Sequence, residues 1–229
     1  MTIAVDHGSR RISQPTARSL ARVLSLGYGV AAYAIFAATL LYAVGFVSGV
    51  VVPKRIDTGA IWPSSVALCI DLQLLGLFVV QHSAMARRGF KRVLTGQVPP
   101  LVERSTYVLC ASLVLMLLFA AWQPLPAVVW QAADPRAAAA IRSLSFFGWL
   151  IVFGTFLTGH FEWFGRKRVV LNFAGRTASA IPFRTPGLYR LVRHPLYVGF
   201  MLAFWSAPVM TAGHFLFAGA MTAYLFVGM

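Results

Sequence analysis

Carboxylates are scarce in this sequence: Asp and Glu number 6 in 229 residues, against 20 Lys and Arg. Neither they nor the 5 histidines fall into the short, repeated spacing of a zinc site. No Gly-x-Gly-x-x-Gly follows a strand pattern, so the Rossmann dinucleotide signature is missing. The only two cysteines, Cys69 and Cys110, lie within apolar stretches, which leaves no basis for a disulfide framework or a metal cluster. Charged residues make up 11%, too few for a soluble domain. Internal repeats and low-complexity tracts are absent. The first apolar run is too long for a signal-peptide core, and no small-residue cleavage site follows it.

What is present is apolar length. Hydrophobic residues form 59% of the chain and mean hydropathy is +0.73, the composition of an integral membrane protein. Residues 26–52, 66–86, 105–121 and 143–164 are each long enough to cross a bilayer, which takes about 20 residues. Residues 196–229 would be roughly 50 Å long as one helix, and Pro208 and Gly213 interrupt them, so they read as two helices joined at 207–213. The expected fold class is all-α: a five-helix transmembrane bundle whose last two helices form a hairpin. Residues 1–25 read as a basic cytoplasmic segment and 26–229 as a single transmembrane domain.

The formal charge is +14. Threading the spans in order puts sixteen of the 20 Lys and Arg on one side, leaving Lys54, Arg55, Arg136 and Arg142 on the other. That imbalance follows the positive-inside rule and predicts that the N-terminus and the region of His194 are cytoplasmic. It accounts for the charge through orientation and anionic membrane lipid, with no nucleic-acid partner.

Polar groups within or beside the spans are the candidates for chemistry, since burying them without partners is costly. Asp71, Phe78 and His82 share a face of span 2, because eleven residues make almost three helical turns. Asp71 stands near the start of that span, where an outer-interface position in solvent and a functional role are both open. Glu103, Arg104 and Tyr107 open span 3, and His160 and Glu162 close span 4, all at the end that carries His82. At that end, too, runs Gly-Leu-Tyr-Arg-Leu-Val-Arg-His-Pro-Leu-Tyr-Val-Gly, from Gly187 to Gly199. Pro195 suits the first position of a helix, whose N–H groups would face back to Arg193 and His194. A helix N-terminus beside an arginine and an imidazole is a receptor for a carboxylate or phosphate.

Arg193-His194-Pro195-Leu196-Tyr197-Val198-Gly199 resembles the S-adenosylmethionine-binding motif of the isoprenylcysteine carboxyl methyltransferase superfamily. Gln81-His82-Ser83-x-Met85-Ala86-Arg87, Glu103-Arg104-Ser105-Thr106-Tyr107-Val108 and His160-Phe161-Glu162-x-Phe164-Gly165 are similar to the branch that holds NnrU-type proteins and the bacterial methanethiol S-methyltransferases. The resemblance runs from about Leu26 to Met229. It implies S-adenosylmethionine as cofactor, bound by Tyr189, Arg193, His194, Pro195, Leu196, Tyr197 and Gly199, and a small thiol, methanethiol, methylated to dimethyl sulfide. Gln81 and Tyr107 would contact the thiol. Because thiolate is the nucleophile, His82 and His160 are candidate bases, Arg104 the candidate cation, and Glu103 or Glu162 would orient them. Members of the family continue beyond the last helix into a polar segment with paired glutamates, whereas this sequence ends at Gly228-Met229, so part of the donor site is expected to lie in a further C-terminal segment. Two other activities stay open here: O-methylation of a lipid-like carboxylate, and a non-enzymatic NnrU-type accessory role with the two histidines as haem ligands.

The charge division makes a direct prediction. Reporter fusions after Arg92 and Lys167 will read cytoplasmic, and fusions at Asp57 and Asp134 will read periplasmic. A periplasmic reading after Arg92 contradicts the whole placement.

Overall fold

The computed structural model describes residues 15–99, 101–157 and 194–227. The expectations for Tyr189, Arg193, His160 and Glu162 lie outside them. Seven helices and a two-stranded sheet make up the described chain: α1 (Pro15–Ser48), α2 (Ser64–Ala86), α3 (Arg88–Gln97), α4 (Glu103–Ala121), β1 (Val128–Gln131), α5 (Pro135–Thr155), α6 (Pro195–Trp205), β2 (Val209–Thr211) and α7 (Ala212–Val227). Leu20–Ser48, Ser64–Ala86, Glu103–Ala121 and Pro135–Thr155 are long and apolar enough to cross a membrane, while α6 and α7 are shorter apolar helices. The protein is therefore mostly helical and built for a membrane.

Local chemistry sets several boundaries. Asp134 caps α5 by accepting from Arg136 N at 2.9 Å, and Pro135 occupies the first turn. That cap starts the helix eight residues before the apolar run at 143. The Arg88–Gln97 tract forms the amphipathic helix α3, with Arg88, Lys91 and Arg92 exposed. Strands β1 and β2 pair antiparallel, Val128 opposite Thr211 and Gln131 opposite Val209, a small departure from the all-α expectation. Extended polar backbone is tolerated beyond the apolar helix ends, where it is not left facing lipid.

One end of the bundle is tied by polar links. Asp71 is fully buried, and its Oδ1 accepts from Gln123 N at 2.8 Å, just past the end of α4. The solvated position considered for Asp71 is thereby excluded. Ile56 N donates to Phe46 O at 3.0 Å, folding the 49–63 loop back on α1. Thr211 donates to Asp57, and Trp130 Nε1 donates to Ala207 O at 3.0 Å. Burial holds the Lys54 ammonium below its ordinary pKa, opposed by the nearby Asp71 carboxylate. Beneath this cap Phe46 packs on Phe119, Trp122 and Phe217, with ring centroids 4.7, 6.2 and 5.9 Å away.

Helices α5 and α6 approach most closely through backbone. A Cβ on Gly148 would stand 2.6 Å from Ala203 N and 2.7 Å from Gly199 O, and one on Gly199 would stand 2.9 Å from Gly148 O. Ser145 adds a hydrogen bond to Ala203 O at 3.0 Å. The small residues Gly27, Ala31, Ala34 and Ala38 of α1, by contrast, are exposed. The buried face of α1 carries Ala32, Thr39, Leu40, Phe46 and Val47.

Gly148→Ala will lower stability by about 1–3 kcal/mol, the usual cost of overpacking. Gly27→Ala, whose added methyl meets nothing within 4 Å, will cause no such loss. Thermal unfolding of the two variants in detergent checks the difference.

Candidate active site

The contacts sort the helix ends. Asp71 joins the start of α2 to the end of α4, and the start of α5 lies next to β1 within the polar cap. The end of α2, the start of α4, the end of α5 and the start of α6 therefore share the opposite end. Contact of Gly148 with both Ala203 and Gly199 and of Val152 with Gly199 gives α5 and α6 opposite directions, so Pro195 begins α6 at that end too. Tyr28 of α1 joins it by donating to Thr106 Oγ1 at 3.0 Å.

His82 is the centre of this end. Its Nε2 lies 2.7 Å from the Tyr107 hydroxyl across the α2–α4 interface. Its Nδ1 is buried and has no hydrogen-bond partner among the described residues. Rings surround it: Phe78 at 5.2 Å, Tyr107 at 5.0 Å and the Tyr224 edge at 5.9 Å. Ser83 Oγ donates to the Tyr224 hydroxyl at 3.3 Å, fixing that ring from the next residue of α2. Gln81 spends its amide nitrogen on Met85 Sδ at 3.0 Å, and its carbonyl oxygen is buried without a partner among the described residues. Consecutive residues of α2 thus present two unsatisfied atoms, where nearly all buried polar atoms of native proteins are paired.

Of the residues singled out in the sequence, His82 and Tyr107 are in contact. Glu103 instead faces Lys91 of α3 at 3.9 Å, with both side chains partly exposed, a pair of little energetic weight. Arg104 is exposed, one turn before Tyr107 on α4. At the start of α6, His194 is exposed, makes no side-chain capping bond, and stacks on Tyr197 at 5.3 Å and 16°. Pro195 and Gly199 are buried, with Leu196 between them partly so. The first turn is less open than expected, because Tyr197 N and Val198 N both donate to His194 O, at 3.1 and 3.3 Å.

Sequence reasoning missed Ser83 and Tyr224 as site residues. The Ser83–Tyr224 bond joins positions 141 apart, and nothing local to Tyr224 announces it. Among the described residues no group of three or more His, Cys, Asp or Glu could hold a metal ion, and both cysteines are free. What the site offers is a largely buried imidazole with one nitrogen engaged and one open, an exposed arginine one turn before Tyr107 on α4, and an imidazole with an aromatic ring at a helix start. Those groups suit proton removal and the binding of an anionic, partly aromatic ligand.

Known proteins are similar to this chain over most of its length. The chain is 50% identical over 98% of its length to methanethiol S-methyltransferase 1 of Bradyrhizobium diazoefficiens, covering 79% of that protein. It is 47% identical over 91% of its length to the methanethiol S-methyltransferase of Mycobacterium tuberculosis, covering 86% of it. At greater distance, nurim of Xenopus laevis is 32% identical over 68% of the chain and is covered to 58%. No family profile matches, and neither does any solved structure.

Proposed function

The chain belongs to the methanethiol S-methyltransferase family, and on that premise we propose that it methylates methanethiol with S-adenosylmethionine, releasing dimethyl sulfide at the cytoplasmic face of a bacterial inner membrane. The observation that carries the reading is His82, bonded at Nε2 and open at a buried Nδ1, at the bundle end where α6 begins with His194. The positive-inside division supports the cytoplasmic placement. In this reading residues 26–229 form one transmembrane domain of five spanning units, the four long apolar helices with the α6–α7 hairpin as the fifth.

The residues at the start of α6 fit an amino-acid carboxylate and a planar ring. His194 has a side chain free of capping duty, and the stacked Tyr197 supplies an aromatic face. His194, with Arg193 and the Pro195–Gly199 turn, would hold the donor, and Tyr189 is a further candidate from the motif. Bound S-adenosylmethionine supplies a methyl group activated on a sulfonium sulfur. The rest falls to this chain's own groups. An alkanethiol is mostly protonated near neutral pH, so a base has to take the S–H proton. His82, with its open Nδ1, is the first candidate, and His160 is the second candidate from the sequence. Gln81 would contact the thiol, Tyr107 would act at this site through its bond to His82, and the charge of Arg104 would favour thiolate. Glu103, engaged by Lys91, is left the lesser role of setting the α3–α4 corner, and Glu162 would orient His160. Positioning of sulfur against the methyl carbon is a major contribution to such an in-line displacement.

Cells expressing the full-length protein, with any C-terminal segment that completes the donor site, and supplied with methanethiol will release dimethyl sulfide into the headspace, read by gas chromatography. His194→Ala will weaken donor affinity by about 1.5–3 kcal/mol, as for a lost hydrogen bond to a charged group. His82→Ala will lower turnover by about 10²–10⁴ with donor affinity retained, as for a lost general base. Headspace free of dimethyl sulfide, with the protein present in the membrane, refutes the assignment.

A further inference from the structure

The two ring nitrogens of His82 have different surroundings, and the difference fixes how the ring can act. Nε2 meets the Tyr107 hydroxyl at 2.7 Å, and Nδ1 is sealed from solvent with no partner among the described residues. A neutral imidazole carries one N–H and one lone pair. With the hydrogen on Nδ1, Tyr107 would donate to Nε2 and a buried N–H would be orphaned, the rarer and costlier defect. With the hydrogen on Nε2, that N–H donates to the Tyr107 oxygen, and Nδ1 is a lone pair awaiting a donor. The phenolic hydrogen of half-buried Tyr107 is free to rotate to another acceptor. We propose that Tyr107 is a positioning residue for His82: it accepts from Nε2–H and so presents the Nδ1 lone pair as the atom that takes the thiol proton. Tyr224, tied to Ser83, and Phe78 hold the ring against rotation.

The inference rests on the reading of His82 as the base. The step balances as follows. The S–H bond breaks and its proton goes to Nδ1, while the electron pair left on sulfur forms the new bond to the methyl carbon. The bond from that carbon to the donor's sulfonium sulfur breaks, its pair neutralising that sulfur, and the proton on Nδ1 later passes to water. As the ring becomes an imidazolium, the bond from Nε2–H to Tyr107 strengthens, because charge-assisted hydrogen bonds are the stronger ones. Tyr107 therefore raises the basicity of His82, where a Tyr107 that donated to Nε2 would lower it. Among the described residues, the titratable groups packed against His82 are Tyr107 from α4 and Tyr224 from α7. Arg104, one turn before Tyr107, is exposed, and Lys91 of α3 is engaged with Glu103.

The test is the pH profile of turnover for the full chain and its Tyr107→Phe variant in proteoliposomes at saturating S-adenosylmethionine. Turnover is expected to fall about ten- to a hundredfold, the loss of a hydrogen bond to a charged group. The acid limb is expected to move to lower pH, and donor affinity to stay unchanged. An acid limb that moves to higher pH, or stays in place, overturns the proposal, since a merely structural tyrosine would not move it downward. Should Tyr107→Phe fail to fold, nitrogen-15 NMR of histidine-labelled wild-type protein decides the matter. The signal lost in His82→Gln should be that of the Nε2-protonated tautomer, and the Nδ1-protonated tautomer refutes the proposal. Full activity in His82→Gln would instead remove His82 as the base, a failure of the underlying reading that these signals distinguish.

Discussion

Backbone contact between α5 and α6 governs where the start of α6 can lie. Gly148 and Gly199 let the two helices approach until an added Cβ on either would strike the other's main chain. Between apolar helices in an apolar solvent, close packing and interhelical hydrogen bonds replace the hydrophobic effect as the source of association. Ser145, bonded to Ala203 O, and Trp149, stacked edge-on to Phe200 and Phe204 at 6.2 and 6.0 Å, extend the same seam. His194 and Tyr197 sit one turn beyond it. The glycine contact thus carries information from the middle of the bundle to the end where chemistry is placed.

The two ends divide the polar work. At the capped end polar groups close structural links, Asp71 to Gln123, Asp57 to Thr211, Trp130 to Ala207, and the buried His214, whose Nε2 donates to Phe204 O at 2.9 Å, while Asp71 Oδ2 and Trp122 Nε1 stay unpaired among the described residues. At the other end polar atoms are held in place but left incomplete, as with Nδ1 of His82 and the carbonyl of Gln81. Rigid helices hold these groups, with aromatic rings filling the space around the imidazole. That arrangement is what a site needs if its side chains are to meet a ligand without rearranging.

Much of this was legible in the sequence, for reasons that differ by residue. Apolar length exposed the four long helices, and the helical period placed Asp71, Phe78 and His82 on one face, where Asp71 and Phe78 prove buried and His82 mostly so. The meeting of the His82 end with Tyr107 followed from threading spans in alternation. Other features left no local trace. Small residues on α1 and on α5 look alike as sequence, yet only those facing another helix matter, so nothing local separates Gly148 from Gly27. Tyr224 reaches His82 through tertiary packing alone. Helix α3 had a signal, with Phe90, Val93 and Leu94 at helical spacing among basic residues, while the β1–β2 pair joins segments whose alternation is too short to read.

The central claim is that proton removal and donor binding belong to one end of the bundle and hence to one side of the membrane. Cysteine labelling in sealed vesicles measures this directly. In a Cys69→Ser, Cys110→Ser background, single Arg87→Cys, His194→Cys and Asp57→Cys variants replace residues that are exposed in the structure. A membrane-impermeant maleimide should label Arg87→Cys and His194→Cys from the cytoplasmic side and Asp57→Cys from the other. Labelling of Arg87→Cys and His194→Cys from opposite sides would contradict the account.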